Sequence, residues 1–135
     1  MKHFINIAIL LFMGFTTACS ADDEETSNNK DVFYAKYAVT FLAEQGAFGS
    51  TPKIVNIYYN GGTVSSQKKV KKYSWEGDYG PLYKGSEIFL RVSSTSGTTT
   101  RGTSDYINTT ISLKKNNGSY TIVKNGNSDI SYKIK

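Results

Sequence analysis

Hydrophobic and polar positions alternate with a period of two through most of this chain. Phe33, Ala35, Tyr37, Val39, Phe41 and Ala43 share one parity, with Lys36 and Thr40 on the other. That spacing predicts a first strand with one face on a core, although Val32 and Tyr34 keep the second face from being purely polar. Gly46 to Pro52 has turn chemistry. Lys53 to Tyr59 predicts a second strand, and Asn60-Gly61-Gly62 predicts a hairpin after it, because these residues accept positive φ. Thr63 to Trp75 predicts extended chain with a bulge or a sheet edge, since Val64 and Val70 share their parity with Lys68 and Lys72.

Asp78-Tyr79-Gly80-Pro81 and Lys84-Gly85 predict the bounds of a loop. Glu87 to Ser93 then predicts a strand with Ile88, Leu90 and Val92 inward and Glu87, Phe89 and Arg91 outward. Ser94 to Ser104 is polar and predicts a mobile loop. Asp105 to Lys115 places Ile107, Thr109, Ile111 and Leu113 inward. Asn116-Asn117-Gly118 predicts a turn into Tyr120 to Val123, and Asn125-Gly126-Asn127 another into Ile130, Tyr132 and Ile134. About seven strands and no helix in the stretch from 31 to 135 fit an all-β fold, an immunoglobulin-like sandwich. A small Greek-key barrel is the alternative that the pattern leaves open. No internal repeat or second domain interrupts the series.

The N-terminus follows a different pattern. Met1-Lys2-His3 is a short basic start, and Phe4 to Phe15 is a twelve-residue apolar run broken by Asn6. As a helix it would span about 18 Å, short of the roughly 30 Å of hydrocarbon in a bilayer. It fits the apolar region of a signal peptide better than a membrane anchor. Thr16-Thr17-Ala18 and then Cys19, the chain's only cysteine, follow. Ser20 to Asn29, with Asp22-Asp23-Glu24-Glu25, has nothing to bury and predicts a flexible tether with a reach of about 18 Å.

Ala18-Cys19 resembles the lipobox of bacterial lipoproteins, in which a peptidase cuts before a cysteine that carries the lipid; Thr16 stands where that motif usually has Leu. The acidic cluster after Cys19 is similar to the export signal of Bacteroidota surface lipoproteins. The resemblance implies a signal peptide over 1–18, lipidation at Cys19, a tether over 19–30 and a β-domain over 31–135. It also implies a place on the outer membrane, exposed at the cell surface, with the periplasmic face as the alternative. With more than one acyl chain such an anchor is stable.

Charge changes the picture once this address is set apart. The whole chain is +5 at neutral pH, but from Lys30 onward 15 Lys+Arg face seven Asp+Glu, leaving the domain at +8. A basic domain attracts anionic glycans or acidic envelope proteins. No nucleic-acid motif accompanies the charge, so nucleic acid is not an expected partner. The only histidine, His3, falls in the signal. Without it, histidine-based triads, cysteine–histidine dyads and zinc sites fall away by inventory, and neither a cofactor nor a metal is expected.

Two groups of residues remain as candidate chemistry. Gln67-Lys68-Lys69-Val70-Lys71-Lys72 is the densest basic run: an anion-binding strip, or an edge strand guarded by lysines against pairing. Tyr73, Trp75, Tyr79 and Tyr83 follow it. Aromatic faces stack on sugar rings, so Lys69, Lys71, Tyr73, Trp75, Tyr79 and Tyr83 form a candidate ligand site. Trp75 equally suits the core place of the strand-C tryptophan in immunoglobulin domains. Glu76 and Asp78 are the one close acid pair of the domain, and two acids in one turn provide neither a glycosidase cleft nor a calcium shell.

Ile57-Tyr58-Tyr59-Asn60-Gly61-Gly62, Tyr73-Ser74-Trp75 and the late Asn-Asn-Gly hairpin resemble the small MmpS-like β-sandwich proteins, membrane-attached accessory partners of lipid exporters. That family tends to have Leu-Pro-Trp where this chain has Tyr-Ser-Trp. The expectation is a non-enzymatic, lipid-anchored envelope protein whose basic sandwich is a protein-interaction or accessory module. Its alternative is a binder of glycans or anionic ligands at the bacterial surface.

Overall fold

A computed structural model describes residues 30–95 and 105–135. The expected signal peptide, Cys19 and acidic tether lie outside these residues, as does most of the polar loop before Asp105. Ten strands follow in order: β1 (Phe33–Leu42), β2 (Gln45–Gly46), β3 (Gly49–Ser50), β4 (Ile54–Tyr59), β5 (Gly62–Ser65), β6 (Lys72–Leu82), β7 (Glu87–Thr95), β8 (Tyr106–Lys115), β9 (Thr121–Gly126) and β10 (Ile130–Lys133).

They form two four-stranded antiparallel sheets, β6-β1-β8-β9 and β10-β7-β4-β5, with β2-β3 as a separate hairpin. The molecule is a β-sandwich, and no barrel closes among the described residues. Consecutive strands cross between the sheets several times, so each sheet needs the other to complete its connections. β1 lies at the centre of its sheet, whereas the first strand of an immunoglobulin constant domain lies at an edge.

The period-two pattern sets the core. Ala35, Tyr37, Val39 and Phe41 of β1 and Thr109, Ile111 and Leu113 of β8 face inward from the first sheet. Val55 and Ile57 of β4, Ile88, Leu90 and Val92 of β7, and Ile130 meet them from the second. Thr109, the polar member, donates its hydroxyl to the Gly126 carbonyl at 3.0 Å.

Four local expectations change. The stretch from Thr63 to Trp75 is two strands in different sheets: β5 is an edge of the second, and β6 an edge of the first. Between them Ser66 is buried, accepting from the Val55 amide at 3.2 Å and donating to the Lys68 carbonyl at 2.7 Å. Gln67 takes a φ of 62°, and this staple turns the chain from one sheet to the other.

The second change is β6, which runs on through Asp78-Tyr79-Gly80-Pro81 where a loop was predicted. β1 offers a paired backbone along its whole length, with the register shifting between Phe33 and Ala35. Pro81 is tolerated there because an edge strand has amides that no neighbour needs. Glu76 and Asp78 therefore sit on the outer face of a strand. Third, Asn125-Gly126 ends β9, and the turn falls after it. Fourth, the turn chemistry of Gly46 to Pro52 builds the β2–β3 hairpin.

Candidate functional site

The strand β6 carries most of the candidate aromatics, and alternation separates them. Tyr73 and Trp75 face inward, half-buried against the core. The Trp75 ring centre is 4.9 Å from that of Tyr59, and Tyr59 is 5.3 Å from Tyr37 in an edge-on arrangement. This row fills the open side between the edges of the two sheets. Gly77 makes room for it: a Cβ there would fall 2.3 Å from the Trp75 ring.

Tyr37 is fully buried, and its hydroxyl donates to Asn60 Oδ1 at 2.9 Å. The same oxygen accepts from the Phe89 amide at 2.8 Å, while Asn60 Nδ2 donates to the Glu87 carbonyl at 3.3 Å. Burial first, then repulsion from Tyr79 and Tyr59, pushes the Tyr37 phenol far above the ordinary tyrosine range. Trp75 and Tyr73 thus complete packing.

Tyr79 and Tyr83 are exposed, but Tyr83 belongs to a tight turn at one end of the sandwich. Its amide donates to Ser86 Oγ at 3.3 Å, and the Gly85 amide donates to Ile134 O at 2.8 Å. Lys69 and Lys71 are exposed at the opposite end, beyond the other terminus of β6. The six candidate residues therefore do not converge. Tyr83 instead joins Lys84, Lys30 and Asp31 around an open cavity of about 720 Å³.

The outer faces of the sheets differ in character. On the first, Tyr120 leaves the start of β9 and lies across the sheet, donating to Asp78 Oδ1 at 3.1 Å. Lys36 and Lys114 each place an ammonium 5.2 Å from its ring, and Lys114 is also 5.2 Å from the Tyr34 ring. Burial, then the hydrogen bond and charge of Asp78, raises the Tyr120 phenol above its ordinary value. Lys36 also approaches Glu76 at 3.9 Å. Both acids of β6 are thus engaged with neighbours of opposite or polar character.

The second outer face is aromatic and open. Tyr58 of β4 and Phe89 of β7 are both exposed on it, and Tyr58 pairs directly with Arg91. Arg91 Nε donates to Asp129 Oδ2 at 2.8 Å. Thr63 flanks Tyr58 and Ser131 flanks Phe89 on the adjoining strands. Phe89 was legible as an outward apolar residue between Ile88 and Leu90. Its place on the same face as Tyr58, diagonal to it across β4 and β7, was not, because register between distant strands has no local signal.

Among the described residues, no group of three or more His, Cys, Asp or Glu side chains is placed to hold a metal ion. No family model, curated protein or solved structure matches this chain.

Proposed function

We propose that this protein is a lipid-anchored, non-enzymatic envelope component whose basic β-sandwich serves as a protein-interaction or accessory module. The observation that carries the reading is the exposure of both Tyr58 and Phe89 on adjacent strands, with Arg91 directly opposite Tyr58, on the outer face of the second sheet. Aromatic residues and arginine are the side chains most enriched where protein surfaces meet. On the opposite face Tyr120 lies against Lys36 and Lys114, which favours the second sheet as the docking side.

The test is a photo-crosslinking amino acid placed at Tyr58, at Phe89 or, as control, at exposed Ser74 on the first sheet. A discrete adduct from cells at the first two positions and none at Ser74 is expected. The same adducts at all three positions, or none, would defeat the reading. Anchoring is separate: Cys19→Ala should abolish acyl labelling, and protease shaving of intact cells should remove the domain if it stands outside.

A second reading, binding of a small anionic ligand, is favoured by the cavity that Lys30, Lys84 and Tyr83 line. A Tyr83→Ala/Lys84→Ala variant that binds anionic glycans as well as the wild type would exclude it.

A further inference from the structure

The end of the sandwich remote from Lys30 combines two features that the sequence keeps apart. β1 is ten residues long, so it carries the chain about 33 Å from the Lys30 end before the β2–β3 hairpin begins. That hairpin projects Gly46-Ala47-Phe48-Gly49 without a charged side chain, and Phe48 is fully exposed at its tip. Leu42 and Tyr106, direct cross-strand partners at the end of the first sheet, are also exposed there.

The lysine run is pinned to both roots of this hairpin. The Ala43 amide donates to the Lys71 carbonyl at 2.8 Å, on the outgoing side. On the returning side Lys53 and Val70 exchange hydrogen bonds of 2.9 and 2.8 Å. Leu42 pairs with Lys72. Lys68, Lys69, Lys71 and Lys72 are all exposed around an apolar spur. The acids at this end, among the described residues, are Glu44 and Asp105, and Asp105 is neutralised by Lys53 at 2.7 Å.

We propose that this end docks on an anionic phospholipid bilayer, with Phe48 entering the interfacial layer and the lysines on the headgroups. A bilayer accepts one protruding aromatic without a matching pocket, and its charge complements the collar. Lys72 opens the edge strand β6, and Val70 makes the one isolated bridge of the run, to Lys53, which leaves the side chains of Lys68, Lys69 and Lys71 facing solvent.

The test uses the full chain carrying Cys19→Ser and Ala47→Cys, with an environment-sensitive dye on residue 47. A second sample carries the dye on Asn117→Cys at the opposite end. Vesicles of phosphatidylcholine alone, or with roughly one-third phosphatidylglycerol, are added to each. The dye at 47 should shift to the blue with the anionic vesicles only, and the dye at 117 should not respond. Phe48→Ser should abolish the shift. Lys69→Gln/Lys71→Gln should weaken the apparent affinity by roughly 20-fold, as should high salt. Ala47, Phe48, Lys69, Lys71 and Asn117 are all exposed, so unchanged circular dichroism is expected in each variant. No shift at 47, an equal shift with neutral vesicles, or indifference to both variants overturns the proposal. A dye that responds to polyglutamate but not to the vesicles would assign the surface to an acidic protein and overturn it too.

Discussion

Lys53 donates to both carboxylate oxygens of Asp105, at 2.7 and 2.8 Å, in a nearly dry position at one end of the sandwich. The Ser94 hydroxyl at 2.7 Å and the Glu44 amide at 3.2 Å complete the shell. One carboxylate thus ties the chain after β1, the approach to β4, the end of β7 and the start of β8. It fixes the root from which the β2–β3 hairpin projects.

Asp105→Ala should destabilise the fold by about 3 kcal/mol in denaturant melts, since it leaves a largely buried ammonium unpaired. Lys53→Met/Asp105→Leu should cost less than that single change, because neither charge is then left alone.

The same site sets an acid limit. Burial raises the Asp105 carboxyl, but the bonds from Lys53, Ser94 and Glu44 and the Lys53 charge outweigh it and hold the group below the usual 3.8. A lowered carboxyl contributes stability that is complete above about pH 4 and is lost as pH falls through the folded value. Melts between about pH 5 and pH 2 should show this loss in the wild type and a flatter profile in Asp105→Asn.

Tyr37 should set an alkaline limit. Its phenol is held protonated in the fold, so stability is present below the ordinary value of 10.0 and declines as pH rises above it. Tyr37→Phe should remove that decline. At neutral pH it should cost about 1 kcal/mol, as Asn60 Oδ1 keeps its bond from the Phe89 amide.

Gly77→Ala should displace the only tryptophan, since the added carbon would stand 2.3 Å from its ring and Tyr59 blocks the far side. A red shift of Trp75 emission and a loss of about 2 kcal/mol are expected. Unchanged emission would show that the ring does not lie over Gly77.

Asn116 holds the start of the domain. It has a φ of 51°, its side chain accepts from the Val32 amide at 3.0 Å, and its own amide donates to the Val32 carbonyl at 2.7 Å. Asn116→Gly keeps the conformation and loses the acceptor; Asn116→Ala loses both. Hydrogen exchange at Val32 should quicken in both, with only the alanine variant costing a further ~1 kcal/mol in stability.

Much of the fold was legible from local pattern. Ile88, Leu90 and Val92 alternate with charged and exposed residues, and a strand has no choice but to send them to one face. The β6 strand was misread because Gly80-Pro81 is a turn signal in isolation, and only the neighbouring backbone of β1 makes it a strand. The candidate site residues are dispersed for a related reason. Tyr73 to Tyr83 are close in sequence, but eleven extended residues spread them from one end of the sandwich to the other.

The sequence by itself determined the alternation, the inward residues, the tally of strands within a few and the contrast in charge between the acidic stretch after Cys19 and the basic remainder from Lys30 onward. These depend on the period of a strand and on counting charges. The tertiary structure decided which strands are neighbours, and with that the pairing of Tyr58 with Phe89's strand, the burial of Trp75 and the meeting of Phe48 with the lysines. Each of these joins residues far apart along the chain. Such contacts are set by the packing of two sheets, for which no residue carries a local preference.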